Sequence, residues 1–438
     1  MKTLLQLLIL IMHYSLVCSH RVGVIGGGAS GIFAAIAAAA SADAVDVLEA
    51  SSSTLSKVRI SGGGRCNVLP DTRRPVPSIL EDYPRGTREL RGILQKRFSP
   101  SQAREWFEAQ GVELKTEEDG RTFPVTDSSQ TIIDALLSAA QGAGVEIHTR
   151  SPVQSIEKTD DGIFRVEVKD KEAGTVVEVG YDTIILATGS SPIGYRLATG
   201  LGHTVVNPVP SLFTLSAKAA VSEGGLLHGL AGISVPHARV SLRKTKLSQE
   251  GPLLITHQGL SGPAALRLSA YGARALAETK YKVTLAIHWA PSLGSVEDAF
   301  DALWKMTTQY PKRQVTKACP LPSAAIPRRL WVALCDDTDK VWGEASKALV
   351  RSIATRICAL EVEMTGKGTF KEEFVTAGGV ELKEVDMRTM ESKLCKGLFF
   401  CGELINVDGV TGGFNFLNCW GTGYIAGSSA GSDTPLSS

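Results

Sequence analysis

Apolar and polar positions change their rhythm several times along the chain, and each change predicts an element. Arg21-Val22-Gly23-Val24-Ile25 is a short apolar strand, Gly26 to Gly31 a glycine turn, and Ile32 to Ala42 an Ala-rich stretch that predicts a helix. Val45-Asp46-Val47-Leu48 predicts the next strand, ending at Glu49, so the fold opens with a βαβ unit. Residues 51 to 67 read as a Ser/Gly-rich loop, and residues 71 to 90, polar with several Pro, as irregular. Helices are predicted over Pro100 to Gln110, started by Ser99, and over Gln130 to Gly142, followed by a strand at Val145-Glu146-Ile147. The alternation from Val153 to Val179 predicts a β-meander, and Thr183 to Leu186 a buried strand leading into Ala187-Thr188-Gly189.

The middle of the chain differs. Residues 210 to 288 read as short β segments broken by Gly and Pro. Residues 295 to 364 read as helices, including Ser295 to Met306 and Val341 to Leu360, and glycine-rich sequence resumes at Val375. The expected organisation is therefore a dinucleotide-binding domain over 20–209 and 371–430. It is interrupted by a β-barrel-like insertion over 210–290 and a small helical insertion over 291–370, with a disordered tail over 431–438. The fold class is α/β with a Rossmann-type core.

Gly26-x-Gly28-x-x-Gly31 follows a strand and opens a helix. The first Gly permits the tight turn, the second lets a pyrophosphate approach the backbone, and the third lets helix and strand pack closely. The helix N-terminus, with Ala29 and Ser30, offers free N–H groups to phosphate. Glu49, followed by Ala50, stands where a carboxylate meets ribose hydroxyls. Two further features favour FAD over NAD. Asp182 to Gly189 (DTIILATG) runs a strand into a small-residue turn, and Gly397 to Gly423 holds a strand, a Gly402-Glu403 turn and a second glycine-rich helix start. A cofactor as long as FAD needs contacts at both of its ends.

Composition narrows the class. The chain has 438 residues, 43% hydrophobic and 21% charged, and its net charge of +1 without a long basic run argues against a nucleic-acid partner. A small-molecule substrate is expected. There is no C-x-x-C, so neither a zinc ribbon nor a thioredoxin-type pair is signalled, and no metal site is expected. Lys2, the apolar run Leu4 to Val17 and the small residues before His20 read as a secretory signal peptide, too short for a stable membrane span. An organelle such as a plastid lies further along that route. A misplaced start codon is the alternative and would leave the protein cytoplasmic.

Five motifs carry a more specific likeness: Ser61 to Asn67 (SGGGRCN), Gly120 to Pro124 (GRTFP), Thr256 to Pro263 (THQGLSGP), Thr376 to Val380 (TAGGV) and Asp408 to Asn415 (DGVTGGFN). In this order the chain resembles the BaiN-like flavoproteins, a family that includes an aminoacetone oxidase and a bile-acid reductase. The resemblance implies an FAD-dependent oxidoreductase, often NAD(P)H-linked, with inserted barrel-like and helical domains. It implies that Ser30 lies at the phosphates, Glu49 at the adenosine ribose and the Val153 backbone at the adenine. Gly402 and Glu403 would follow the ribityl chain, and Thr411, Gly412, Gly413, Phe414 and Asn415 the flavin ring. Gly62, Gly63, Gly64, Arg65, Cys66, Asn67, Ala187, Thr188 and Gly189 complete the expected cofactor contacts. The chain departs from the family at Val68-Leu69, Ser190 and Asn406, which bears on the substrate side.

Flavin carries the electron chemistry itself, so few catalytic side chains are needed. Arg65 either neutralises an anion beside the flavin or pins its loop through a salt bridge. Cys66 lacks the second Cys of a disulfide reductase and reads as structural. His257 either donates a proton to substrate or holds its turn by hydrogen bonds. Trp420 reads as packing. Three functional classes stay open: an NAD(P)H-linked reductase, an oxygen-using oxidase of a small amine or similar metabolite, and a non-enzymatic flavin-bearing sensor.

Overall fold

The computed structural model describes residues 20–169, 174–321, 325–336, 338–368 and 375–432. The signal-peptide reading on residues 1–19 and most of the tail lie outside them. The chain forms two compact units, one from the segments up to Pro208 and from Val375 onward, the other from Val209–Phe374.

The first unit is built on parallel strands whose residues are apolar because both faces are covered. Strands β1 (Arg21–Ile25), β2 (Ala44–Leu48), β3 (Glu146–His148), β4 (Thr183–Leu186) and β5 (Leu398–Phe400) stand in the order β5-β4-β1-β2-β3. All four pairings are parallel, with Val24 opposite both Val47 and Ile185. Two short antiparallel strands, Val385–Asp386 and Glu391–Ser392, extend the β5 edge. The alternating stretch is a three-stranded antiparallel meander, Val153–Lys158, Phe164–Lys169 and Val176–Tyr181, with Phe164, Val166 and Val168 turned inward.

Helix α1 (Ala29–Ala38) buries residues on nearly every side, which suits a helix held between a sheet and a second helix. That second helix is α2 (Phe414–Ala430), from the far end of the chain. A Cβ on Gly423, Gly427 or Gly431 would lie 2.8, 2.1 or 2.4 Å from the carbonyl oxygens of Ser30, Ala34 and Ala38. The two helices thus touch backbone to backbone over two turns, and only glycine at this four-residue spacing permits it. Phe33 closes the contact against Trp106 and Trp420, with ring centroids 4.6 and 5.3 Å away.

Helix Pro100–Ala109 starts at Ser99 through a reciprocal capping box with Gln102. The polar stretches expected as loops are partly helical: Ser56–Ile60, Val76–Leu80 and Thr87–Gly92 each form a short helix. Val58, Ile79, Leu80 and Leu90 anchor these helices, apolar positions too few to give a readable period.

The second unit holds one antiparallel sheet in the order Leu360–Met364, Val283–His288, Ser234–Leu242, Ser248–Thr256, Gly259–Ser261, Leu215–Ser216, Gly366–Lys367. The two outermost strands are separated in sequence by Thr365 alone, so the sheet curls round on itself in a barrel-like manner. Helices Val296–Trp304, Arg328–Leu334 and Lys347–Cys358 enter between adjacent strands of this sheet and share its hydrophobic cluster, including Trp289, Trp331 and Trp342. The segments 210–290 and 291–370 therefore have one core between them. The helix expected from Val341 begins instead at Lys347, where the Ser346 hydroxyl accepts the Leu349 N–H.

Candidate functional site

The glycine fingerprint sits at the carboxyl end of β1, where open α/β sheets bind ligands. Its three glycines have three different surroundings. Gly26 takes φ +111, and a Cβ there would lie 2.6 Å from the Ala187 carbonyl oxygen. A Cβ on Gly31 would lie 1.9 Å from the Gly26 carbonyl oxygen. Gly28 has no neighbour within 4 Å of its Cβ position. Two glycines are thus required by the protein's own packing, and the third faces open space at the helix start. Gly28 is also the N-cap of α1 and supplies no side-chain cap, so the first N–H groups of the helix keep no protein partner of that kind. A helix start of this kind, open and without a side-chain cap, is suited to a phosphate group.

Glu49 closes one end of the cradle. Its Oε2 accepts the Gly27 N–H at 2.8 Å and its Oε1 the Ser51 N–H at 2.7 Å. Those bonds fix the carboxylate and leave lone pairs for ribose hydroxyls. Ala50 is exposed beside it. The Ser151 N–H donates to the Glu49 carbonyl at 2.8 Å, which brings the Val153 segment alongside.

At the other end, the Gly402-Glu403 turn follows β5. A Cβ on Gly402 would fall 2.3 Å from the Ser30 hydroxyl, and the Gly402 N–H donates to Thr422 of α2 at 2.9 Å. Glu403 Oε1 accepts the Thr376 N–H at 3.0 Å, and its Oε2 pairs with Lys57 Nζ at 2.7 Å. Lys57 also donates to Ser190 at 3.2 Å. Gly189 carries φ +58 with Glu403 as its neighbour, and the buried Thr188 hydroxyl beside it has no hydrogen-bond partner. Lys57 was missed from the sequence. The motif that follows it drew attention to the glycines, and nothing local marks one Lys as the partner of a carboxylate 346 residues away.

The SGGGRCN loop owes its composition to its backbone: Gly62, Gly63, Gly64 and Cys66 all take positive φ. Arg65 is the loop's anchor. Its guanidinium pairs with Glu117 at 2.6 Å and Asp127 at 2.5 Å, and lies 3.9 Å over the Phe123 ring. Of its two expected roles the geometry displays the pinning salt bridge, and the charge is already matched by two carboxylates. Cys66 is buried, which pushes its thiol up to about 12, so it is no thiolate nucleophile at neutral pH. Asn67 accepts the Thr122 N–H at 3.2 Å, tying this motif to the GRTFP strand. The cysteines of the described residues are all free.

The glycine-rich start of α2 has a reason for its glycines within the protein itself. Gly412 and Gly413 were expected to be small so that backbone could approach the flavin. A Cβ on Gly413 would instead lie 2.2 Å from the Leu69 carbonyl carbon, and one on Gly412 3.0 Å from the Phe414 ring. Both glycines answer to neighbours within the protein. Asn415 is likewise committed to its own loop, bonding the Gly409 N–H and carbonyl at 2.8 and 2.9 Å. Phe414 is buried against Tyr83, whose hydroxyl donates to the Phe414 carbonyl at 2.7 Å, and Thr411 is exposed. Arg85 pairs with the fully buried Asp408 of the same motif. Trp420 is buried and donates to the Val68 carbonyl at 3.0 Å, a packing role as expected.

His257 belongs to the second unit. It is exposed in the turn between Ser248–Thr256 and Gly259–Ser261, where the Thr256 hydroxyl accepts from Gln258 and Gly259 at 3.2 Å each. The turn is therefore held by Thr256.

A Rossmann sheet, a fingerprint with one glycine open to a phosphate, a carboxylate at the end of β2 and the Gly402-Glu403 turn from the other end of the chain mark an FAD-dependent oxidoreductase. The residues fit the cofactor: α1 starts without a side-chain cap, and among the described residues the Thr188 hydroxyl has no hydrogen-bond partner. The chain belongs to the HI0933-like protein Rossmann domain family, which matches residues 20–429. It is 29% identical over 430 residues to a 3-dehydro-bile acid delta(4,6)-reductase of Clostridium scindens, covering 94% of this chain and 99% of the relative. It is 26% identical over 406 residues to a ribosomal RNA dihydrouridine synthase of Haemophilus influenzae, covering 92% and 96%. Among solved structures it resembles a 3-ketosteroid delta1-dehydrogenase from Sterolibacterium denitrificans, with TM-score 0.50 and 14% identity over 94% of this chain and 100% of that one. That last likeness is one of fold.

Proposed function

We propose that the protein reduces a carbon–carbon double bond conjugated to a carbonyl in a small organic molecule, with NAD(P)H as electron donor. The observation that carries this reading is the near full-length match to two relatives whose names describe the same change. A delta(4,6)-reductase and a dihydrouridine synthase both add two hydrogens across ring double bonds conjugated to a carbonyl. When bound, FAD supplies the hydride chemistry. The chain's own residues bind and orient it: Gly28 and the α1 N–H groups at the pyrophosphate, Glu49 at the ribose, Glu403 with Lys57 along the ribityl side. Reduction of a uridine within RNA is the second reading, favoured by the synthase alone. The net charge of +1 favours a small substrate.

The test is an anaerobic titration of the flavin absorbance with NADH and NADPH, followed by addition of enones, uridine or ribosomal RNA. Bleaching by nicotinamide and reoxidation by an enone is the expected result. A flavin that neither nucleotide reduces, but an amine does before oxygen restores it, establishes the oxidase reading instead. His257 is the proposed proton donor. His257→Gln should slow reoxidation, and an unchanged rate removes His257 from the mechanism.

We also propose entry into the secretory route with cleavage near His20. The His20 N–H donates to Asp43 at 2.8 Å and its ring bonds the Ala430 carbonyl at 2.6 Å, so the fold holds the residue at which cleavage is proposed. Mass spectrometry of the mature protein should find a terminus at His20, and an intact Met1 refutes the proposal.

A further inference from the structure

We propose that a cavity inside the second unit binds a phosphorylated nucleotide. The cavity, half open to solvent, holds about 580 Å³ between helices Val296–Trp304 and Met306–Gln309 and residues 310–321. That volume suits a small organic ligand. One wall is apolar, from Leu293, Leu303 and Met306. The other presents Lys305, Arg313 and Lys317, and among the described residues no Asp or Glu lines the cavity. Among the described residues none of these three cations is paired with a carboxylate, whereas Arg351, on the neighbouring helix, pairs with Glu297. All three are exposed at the mouth of the cleft, and clustered charge of one sign there attracts the opposite ion. Three cations match a di- or triphosphate ester better than a single carboxylate.

Tyr310 identifies the rest of the ligand. Its ring is 44% exposed, and the Arg313 guanidinium lies 4.8 Å from the ring centroid. An exposed ring beside a cation is the arrangement on which a nucleobase stacks, with its phosphates on the nearby charges. The apolar wall then covers the outer edge of the base. The glycine fingerprint belongs to the other unit, so this is a second nucleotide site in the chain. In an NAD(P)H-linked enzyme the donor is itself such a nucleotide. That identification rests on the function proposed above, whereas the cavity's preference for a nucleotide does not.

The experiment is calorimetric titration of the flavin-loaded protein with ADP, NADPH and inorganic tripolyphosphate. ADP and NADPH should each bind one equivalent, weakened at least tenfold by Lys305→Glu, Arg313→Glu or Lys317→Glu at unchanged flavin content. Tyr310→Ala should weaken ADP and spare tripolyphosphate. Absence of nucleotide binding, binding indifferent to the charge reversals, or tripolyphosphate binding alone overturns the proposal. If the reversals lower Tm and leave nucleotide affinity intact, the cations serve only the helix ends and the proposal fails. If Lys317→Glu loses ADP while NADPH reduces the flavin at the normal rate, the nucleotide site stands and its identification with the donor fails.

Discussion

Replacing Gly28 and Gly31 separately by Ala distinguishes binding from folding within one turn of helix. Gly28 has φ −82 and ψ −172, extended backbone open to any residue, and its Cβ would meet nothing within 4 Å. Gly28→Ala should therefore cost the empty fold little, about 1 kcal/mol or less for a poorer N-cap. The same methyl would stand where the pyrophosphate must lie. Overpacking by one methyl group costs roughly 1–3 kcal/mol, which raises the FAD Kd roughly 5- to 150-fold. Gly31→Ala differs because its Cβ would lie 1.9 Å from the Gly26 carbonyl oxygen. Helix and strand must part, so stability and flavin should be lost together. The assay is fluorescence-quench titration of the deflavinated variants with FAD, alongside thermal unfolding without flavin. A Gly28→Ala protein with wild-type FAD affinity would refute the placement of the pyrophosphate, and a Gly31→Ala protein with wild-type Tm would refute the packing argument.

Gly413→Val should fail in folding, because its Cβ would lie 2.2 Å from the Leu69 carbonyl carbon at φ +87. A destabilisation of about 2–4 kcal/mol is expected; a variant with normal Tm that merely loses flavin would return Gly413 to the cofactor site. Lys57→Gln should weaken FAD a few-fold, by about 2–5, at low salt and much less at 0.5 M, where a charge whose side chain is 59% exposed is screened. Equal losses at both salt concentrations would show that its charge is not what matters. Burial holds the His203 pKa below its ordinary value although Glu384 partly opposes this. As pH falls through about 6.5, the unfolded chain therefore takes up the proton first, and stability declines until the lower folded pKa is reached. His203→Gln should flatten the Tm profile between about pH 7 and 5. An unchanged slope would assign it to other groups, among them His288, whose pKa burial also lowers.

The parts of this fold that were legible in the sequence are those where one local rule decides. β1, α1 and β2 read directly because an apolar run, a glycine turn and an Ala-rich segment admit one arrangement. Thr183–Leu186 and the Ser99 capping box are equally local. What escaped reading depends on partners distant in the chain. Lys57 acquires its role from Glu403, Asp408 from Arg85, and Gly413 from the backbone at Leu69, contacts that no window of sequence contains. Gly413 shows this most clearly. A glycine at a helix start has the same appearance in sequence whether ligand or protein lies against it, and its contact with Leu69 is visible only in the folded chain. The short helices at 56–60 and 76–92 escaped because their ends and few buried residues are set by tertiary packing.

The backbone contact between α1 and α2 imposes an order on the protein's biogenesis. The phosphate-binding helix is synthesised long before the glycines at 423, 427 and 431 that seat it. A nascent chain therefore carries a complete fingerprint that cannot yet close around flavin. Cofactor capture then waits for α2, and a chain truncated before Phe414 should keep its dinucleotide signature and accumulate colourless. For a chain exported before it folds, the compartment that receives it would also have to provide the FAD.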